Sequence, residues 1–460
     1  MTDDRGTVRP ERPTRVLAEA IVALAQRPLA ADVRRSAERS LLNVLATTIG
    51  AAHADAVDAT LAYAQRTGAA GVVPVLGRAE RVAPLTGALV AGVAAHYDDF
   101  DDTHLETVIH PSAAGLGALL AVHPSVNADG ARTLTAFALG IEAQLRIGSA
   151  MSPGHYDTGW HITGTCGVIG SAVTAGLLLG FDADRMEQVI GVAASMTVGV
   201  REAFGTMTKP YHPGRAAANG VIAARFVASG GTGPSDILER EHGFFDALAL
   251  DLDWGRVVDR LGEHWELHDN TFKPFPCGIV CHPAIHAATV VAGRLPADAT
   301  IDQVVVRCHA LVPELTGKLD PQDGLEARFS TVHGVCAGLA DGTVGLPQYA
   351  DTRVRSDDLI ALRARTELVV DPEIARASAL LQVRLADGTT LEEFVEHAPG
   401  SLQRPLTDDE LMTKVVGLVE PILPGRSAAL RDAVERLVDA PGLDELLAVA
   451  TPATTDRSAS

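Results

Sequence analysis

The sequence predicts a mainly α protein, a large all-helical domain followed by a smaller α+β domain. Three observations carry this. Apolar stripes at helical spacing fill the first half of the chain. Strict alternation, the mark of half-buried strands, sets in only after about residue 270. Alanine and glycine abound while aromatics make up only 4% of the chain, a balance that lets helices cross closely. At 460 residues, 47% of them hydrophobic, the chain can bury enough surface for at least two domains.

The elements follow in order. Residues 1–13 are polar, carry both charges and read as a loose tail without the apolar run of a signal peptide. From residue 15 to about 250 the pattern is helical. In ADVRRSAERSLLNVLATTIG, Val33, Leu41, Leu42, Leu45 and Ile49 form one stripe. APLTGALVAGVAAHYDDF, GARTLTAFALGIEAQLRIG and GRAAANGVIAARFVASGG are apolar nearly all round, which marks buried helices. GTCGVIGSAVTAGLLLGF, residues 164–181, is uncharged and approaches the length of a membrane span. Its glycines and its polar neighbours make it a buried core helix instead. Beyond residue 270, IDQVVVRCHA alternates with Val304, Val306 and Cys308 on one face, and RTELVVD offers a short strand. ALLQVRLADGTTLEEFVEH reads as a hairpin around Ala-Asp-Gly. EARFSTVHGVCAGLADG and SDDLIALRART are helical runs between the strands. Helical spacing returns over 404–448. The expected organisation is a helical domain over 14–268, an α+β domain over 269–402, and C-terminal helices over 403–450 that return to the first domain.

A net charge of −20 without any basic run excludes nucleic acid and an acidic membrane surface as partners. Five cysteines, an odd number in a large chain, argue against a disulfide framework and for a cytoplasmic protein.

The lysines point to chemistry. Only four stand among 38 fixed cations, and two of them share a motif: TKPYHPGRA, residues 208–216, and FKPFPCG, residues 272–278. Pro210, Pro213 and Gly214 are expected to form a stiff turn holding Lys209 and His212 ahead of a helix. Pro274, Pro276 and Gly278 do the same for Lys273, with His282 just before a helix starting at Pro283. An exposed ion-pair partner needs no such scaffold, and arginine would serve there. A point-charge ammonium whose pKa shifts on burial is what arginine does not supply. Cys277, Cys281 and His282 lack the second ligand pair of a zinc site.

Three further segments stand out. HYDDFDDTHLETVIHPSAAG, residues 96–115, crowds Asp98, Asp99, Asp101 and Asp102 beside Thr103, His104 and His110. Carboxylates that close raise one another's pKa unless cations lie nearby. The spacing is not that of a calcium loop. YDTGWHITGTCGVIG sets His161 at a helix entrance, and its glycines do not match the dinucleotide fingerprint. EARFSTVHGVCAG places Arg328, Ser330 and His333 on a helix of the second domain. Each alone is matched by a plainer reading, as a helix terminus, a packed histidine or an amphipathic edge.

Together DDFDDTH…HPSA, GWHITGTCGVIG, KPYHPGRAAANG with ASGGTGP, KPFPCGIVCHP and EARFS, collinear over roughly residues 95–335, resemble the MmgE/PrpD family. That family includes 2-methylcitrate dehydratase, cis-aconitate decarboxylase and iminodisuccinate epimerase. The resemblance implies a helical domain, a smaller α+β domain, a homodimer and no cofactor or metal. It carries site roles onto Asp99, Thr103, His110, His161, Lys209 and Lys273. A Tyr expected just beyond the EARFS segment is replaced by His333, and Gly278 stands where the decarboxylase branch has a histidine. Both departures count against decarboxylation.

Such enzymes move a proton at carbon beside a carboxylate, so charge that builds on the carboxylate needs cations in a dry pocket. The expected activity is a lyase of the 2-methylcitrate dehydratase type on a small di- or tricarboxylic acid. His161 or Lys273 moves the proton, Lys209 binds carboxylate and His110 protonates the leaving hydroxyl. Asp99, Thr103, His212, His282 and His333 complete the set as substrate-binding residues. Epimerisation of a dicarboxylate, decarboxylation and non-catalytic acid binding follow as alternatives.

Overall fold

The computed structural model describes residues 10–66 and 70–453. The first part of the chain is built of α1 (Pro13–Ala25), α2 (Ala31–Gly50), α3 (Asp55–Arg66), α4 (Pro84–Tyr97), α5 (Ser112–Val122), α6 (Gly130–Ala150), α7 (Gly154–Asp157), α8 (Ile162–Leu178), α9 (Ala183–Ala194) and α10 (Thr208–Ala228). Short α11 (Phe244–Leu248) and α12 (Trp254–Val258) follow. Every residue of α5 and of α8 is buried, as their all-round apolar composition requires. Among the described residues no helix is long and apolar enough to cross a membrane.

Four strands interrupt the segment read as helical and the stretch after it. β1 (Ala70–Pro74) and β2 (Arg81–Val82) form a small antiparallel pair. β3 (Asp102–His104) pairs with β4 (Asn270–Phe272) through Asp102↔Phe272, Thr103↔Thr271 and His104↔Asn270. Tertiary pairing selects strand here, because three residues are too few for a period to show. This ribbon lays the acidic segment against the second lysine motif.

The second part holds α13 (His282–Ala292), α14 (Leu311–Thr316), α15 (Gly324–Ala327), α16 (Thr331–Asp341), α17 (Asp351–Val354) and α18 (Asp357–Arg363) against one sheet. Its strands, β5 (Ile301–Cys308), β6 (Thr366–Val370), β7 (Ala379–Leu385) and β8 (Thr390–Val395), lie in the order β6-β5-β7-β8. β5 runs parallel to β6 and antiparallel to β7, and β7–β8 is the expected hairpin, with Gly388 in the left-handed region at φ 89°. Val304, Val306 and Cys308 share the buried face with Leu381 and Val383, which packs on α13 and α16. The mostly helical protein with a smaller α+β part is the fold class the periodicity predicts. Finally α19 (Asp408–Val419), α20 (Ser427–Glu435) and α21 (Asp444–Val449) return, so that Val415, Leu430 and Leu446 join the apolar core of α1–α12.

Two motif geometries differ from expectation. KPYHPG is not a turn ahead of a helix but the first turns of α10, with Pro213 inside it. Pro213 has no N–H to give the Lys209 carbonyl, so one intrahelical hydrogen bond is missing there. EARFSTVHG is not one helix: α15 ends at Ala327, and Ser330 caps α16 by accepting the His333 N–H at 3.0 Å.

Candidate active site

A pocket of about 610 Å³ opens between the helical core and the α+β part. Its buried floor carries Asp99, Thr103, His110, His161, Lys209 and Lys273. Five segments up to 174 residues apart meet there. β3 and the turn before it supply Asp99 and Thr103, the start of α10 supplies Lys209, and the chain after β4 supplies Lys273. His161 stands at the entrance of α8, where its backbone holds the cap position.

Asp99 is the hub. Its Oδ1 accepts from Lys209 Nζ at 2.7 Å and from Lys273 Nζ at 2.9 Å. Burial disfavours its charge, but the two ammonium groups outweigh burial and hold it well below the usual carboxylate range. Asp99 sits at φ 50°, and Val108 on the pocket wall at φ 55°. A β-branched residue there costs roughly 1–3 kcal/mol, strain that concentrates at functional sites.

The two lysines are not equivalent. Lys273 also donates to the Asp99 carbonyl at 3.0 Å and the Cys277 carbonyl at 3.2 Å, so its three hydrogens are engaged. Among the described residues, Lys209 has Asp99 as its only hydrogen-bond acceptor, with the rings of Phe204 and Phe329 at 5.3 and 5.4 Å. Burial lowers its pKa, and Asp99 restores part of the loss. Two of its N–H groups therefore remain for a bound anion.

Asp101 orders the imidazoles. Its Oδ2 lies 2.8 Å from His96 Nδ1 and its Oδ1 3.1 Å from His110 Nδ1. Burial opposes charge on Asp101, but the contacts with His96 and His110 hold it ionised. An ionised carboxylate only accepts, so the His96 hydrogen bond puts that ring's proton on Nδ1, and the charge of Asp101 beside His110 Nδ1 favours the same tautomer there without an aligned hydrogen bond. Thr103 Oγ1 lies 3.3 Å from His110 Nδ1, and its hydroxyl can accept from that nitrogen or donate to it. Nε2 of His110 keeps its lone pair and lies 3.9 Å from Asp99 Oδ1. Burial and Lys273 lower the His110 pKa against the pull of Asp101, burial pushes His96 down to about 3, and burial with His96 and Lys209 drives His161 well below its ordinary value. The floor thus combines neutral imidazoles with ammonium groups.

The other expected residues stand further back. His212 lines no part of the pocket, but its Nδ1 is 2.9 Å from His161 Nδ1, one donating to the other. His282 packs edge-on to Phe275, burial pushes it down to about 3, and its Nε2 is buried without a partner among the described residues. His333 does not reach the pocket. Its Nε2 is 2.8 Å from the Gln348 carbonyl and its ring packs on Tyr349, because capping by Ser330 turns the first residues of α16 into the second core. Gly278 does line the pocket, and a Cβ there would meet Thr316 Cγ2 at 2.8 Å.

Sequence reasoning missed His96, at the end of an apolar helix where only tertiary contact reveals it. It also missed Tyr156, Phe204, Phe329 and Arg376 as pocket residues. Arg328 was singled out without a role, and it pairs with Asp98 at 2.5 Å, tying the EARFS segment to the acidic one. His96, Asp99, Asp101 and His110 offer ligand atoms within 4.8 Å of one another. A cation there would have to displace the hydrogen bonds just described and face two ammonium groups.

Fold and pocket define a protein with buried lysines, carboxylates and imidazoles converging on a helical core. The chain belongs to the MmgE/PrpD family and is an enzyme of the lyase class. Residues 15–256 match the MmgE/PrpD N-terminal domain and residues 275–439 the MmgE/PrpD C-terminal domain. The chain is similar to the cis-aconitate decarboxylase of Mus musculus, 30% identical over 390 residues, 79% of this chain and 76% of that protein. The cis-aconitate decarboxylase of Homo sapiens is 29% identical over 351 residues, 73% of this chain and 72% of that protein. The cis-aconitate decarboxylase-like protein oryM of Aspergillus oryzae is 25% identical over 451 residues, 91% of this chain and 93% of that protein.

Proposed function

We propose that this chain is a cofactor-independent hydro-lyase that eliminates water from a small hydroxy-polycarboxylic acid and acts as a homodimer. The observation that carries the reading is the buried His110 ring, with Asp101 Oδ1 3.1 Å from Nδ1 and with Nε2 beside the Lys209–Asp99–Lys273 bridge. Elimination needs a base for the proton at carbon and an acid for the departing hydroxyl, and the floor offers both. His110 Nε2 takes the proton from the carbon next to a carboxylate. The electron pair shifts onto that carboxylate, which Lys209 stabilises. The carbon–oxygen bond then breaks, and the hydroxyl leaves as water with a proton from Lys209, whose depressed pKa makes it the better acid. Lys273, with every hydrogen engaged, anchors Asp99 and is not the proton carrier expected from sequence. His110 is the base in this scheme rather than the acid.

The second reading is decarboxylation of a cis-aconitate-like acid. What favours it is the similarity to the mouse and human enzymes. Loss of carbon dioxide needs a proton donor to carbon but no base, so it would leave the His110–Asp101 arrangement without work.

Proton NMR in D₂O with citrate, 2-methylcitrate, cis-aconitate and iminodisuccinate separates the outcomes. Alkene signals from a hydroxy acid support dehydration. Carbon dioxide release from cis-aconitate replaces it with the second reading, and deuterium entering at the α-carbon without an alkene marks epimerisation. Binding of these acids with no turnover or exchange would sink the catalytic reading.

A further inference from the structure

The cations of the pocket are not confined to its floor. Arg376 lines the same pocket from the segment between β6 and β7, and it is exposed. The backbone there is tied at both ends: Asp371 N–H donates to the Cys308 carbonyl at 3.0 Å and Ser378 Oγ to the Glu396 carbonyl at 3.1 Å. The Arg376 guanidinium has no hydrogen bond or ion pair with any described residue. Nearby Arg201, by contrast, is spent. It lies 4.1 Å over the Tyr156 ring, donates to the Tyr156 carbonyl and faces Glu314 at 3.8 Å. Much of the remaining wall is apolar, formed by Val108, Ile279, Val280 and Leu315. An anion has nothing to bind on that wall, so the pocket offers carboxylates a floor station at Lys209 and an outer one at Arg376. A guanidinium presents a planar fork of N–H groups matched to a carboxylate.

We propose that Arg376 binds the substrate carboxylate farthest from the reacting carbon and so selects polycarboxylates over acids that lack this outer carboxylate. The assignment rests on the floor being the acid–base centre. Arg376 touches no breaking bond; it determines specificity. A substrate whose outer end is alkyl would leave the guanidinium unpaired, and one with a carboxylate there pairs it without rearranging the floor.

The test uses the full chain and two acids that cannot be dehydrated. Tricarballylate has three carboxylates, and methylsuccinate is the same acid with one carboxymethyl arm cut to methyl. Calorimetric titration of the wild type should show tricarballylate binding at least ~10-fold tighter, the range of one charge-assisted contact. In Arg376→Gln that ratio should fall to within about threefold, chiefly through loss of tricarballylate affinity. An unchanged ratio in Arg376→Gln, or no preference in the wild type, overturns the assignment. If Lys209→Met removes the preference and Arg376→Gln does not, the floor reading stands and the assignment falls. If the wild type binds neither acid, the floor reading falls and takes the assignment with it.

Discussion

At the scale of single residues, Asp101 decides what His110 is. Asp101→Asn puts an amide where only an acceptor stood, and the amide N–H can turn the ring so that the lone pair faces away from the pocket. Turnover should fall by ~10²–10⁴ with KM within a few-fold, the pattern of a lost tautomer. Steady-state kinetics check this, and a variant that lost affinity while keeping kcat would assign Asp101 to binding instead. Asp102, its neighbour, behaves in the opposite way. Burial and the charge of Asp101 push it up to about 7, against help from Ser112 and Asn270. A group whose folded pKa is raised gives stability that is complete below the unfolded value and is lost as pH climbs through the folded one. The fold should therefore lose roughly 1.4 kcal/mol per pH unit between about 4 and 7 through this group alone. Asp102→Asn should flatten that slope in denaturant titrations at pH 5 and 8. Parallel curves for the two proteins would place the Asp102 pKa near its ordinary value. The two lysines of the floor were legible in sequence because lysine is scarce and each is flanked by prolines. Arg376 was not, being one of many arginines in polar loops, and nothing in its neighbours marks the pocket it enters.

At the scale of elements, the floor depends on how closely α4 and α10 cross. A Cβ on Gly92 would lie 2.6 Å from the Gly214 Cα, with backbone on the far side that has nowhere to retreat. Gly92→Ala should cost about 1–3 kcal/mol and raise KM, since α10 carries Lys209 at its start. Thermal unfolding and kinetics read both effects, and an unchanged midpoint would mean the helices separate freely. Small-residue composition announced such crossings without saying which helices meet. The β5–β7–β8 alternation and the Ala-Asp-Gly hairpin were legible because their periods are long enough to count. The β3–β4 ribbon was not, because its pairing spans residues 102–272 and leaves no local trace. The same holds for α10, where two prolines read as a turn and the helix began before them.

At the scale of the whole molecule, a groove of about 630 Å³ between α3, α4 and α10 exposes Tyr63 (53%), Met207 (41%) and Tyr211 (37%). Large amphipathic side chains of this kind anchor subunit contacts, and in a chain so poor in aromatics their grouping supports the homodimer. Sedimentation equilibrium should give twice the chain mass of 48.1 kDa, and Tyr63→Glu with Tyr211→Glu should halve it. A wild-type mass of one chain at micromolar concentration refutes the dimer.

A ribosome releases the parts of the floor one after another. Asp99 emerges first, Lys209 follows 110 residues later and Lys273 174 residues after Asp99. Lys414 on α19 leaves the exit tunnel 314 residues behind Phe100, and it adds a clasp to the floor, donating to the Phe100 carbonyl at 2.6 Å and the Lys273 carbonyl at 3.0 Å. A nascent polypeptide cut short before Asp408 would carry every acid and base of the centre and lack that clasp, so the catalyst waits on the synthesis of α19.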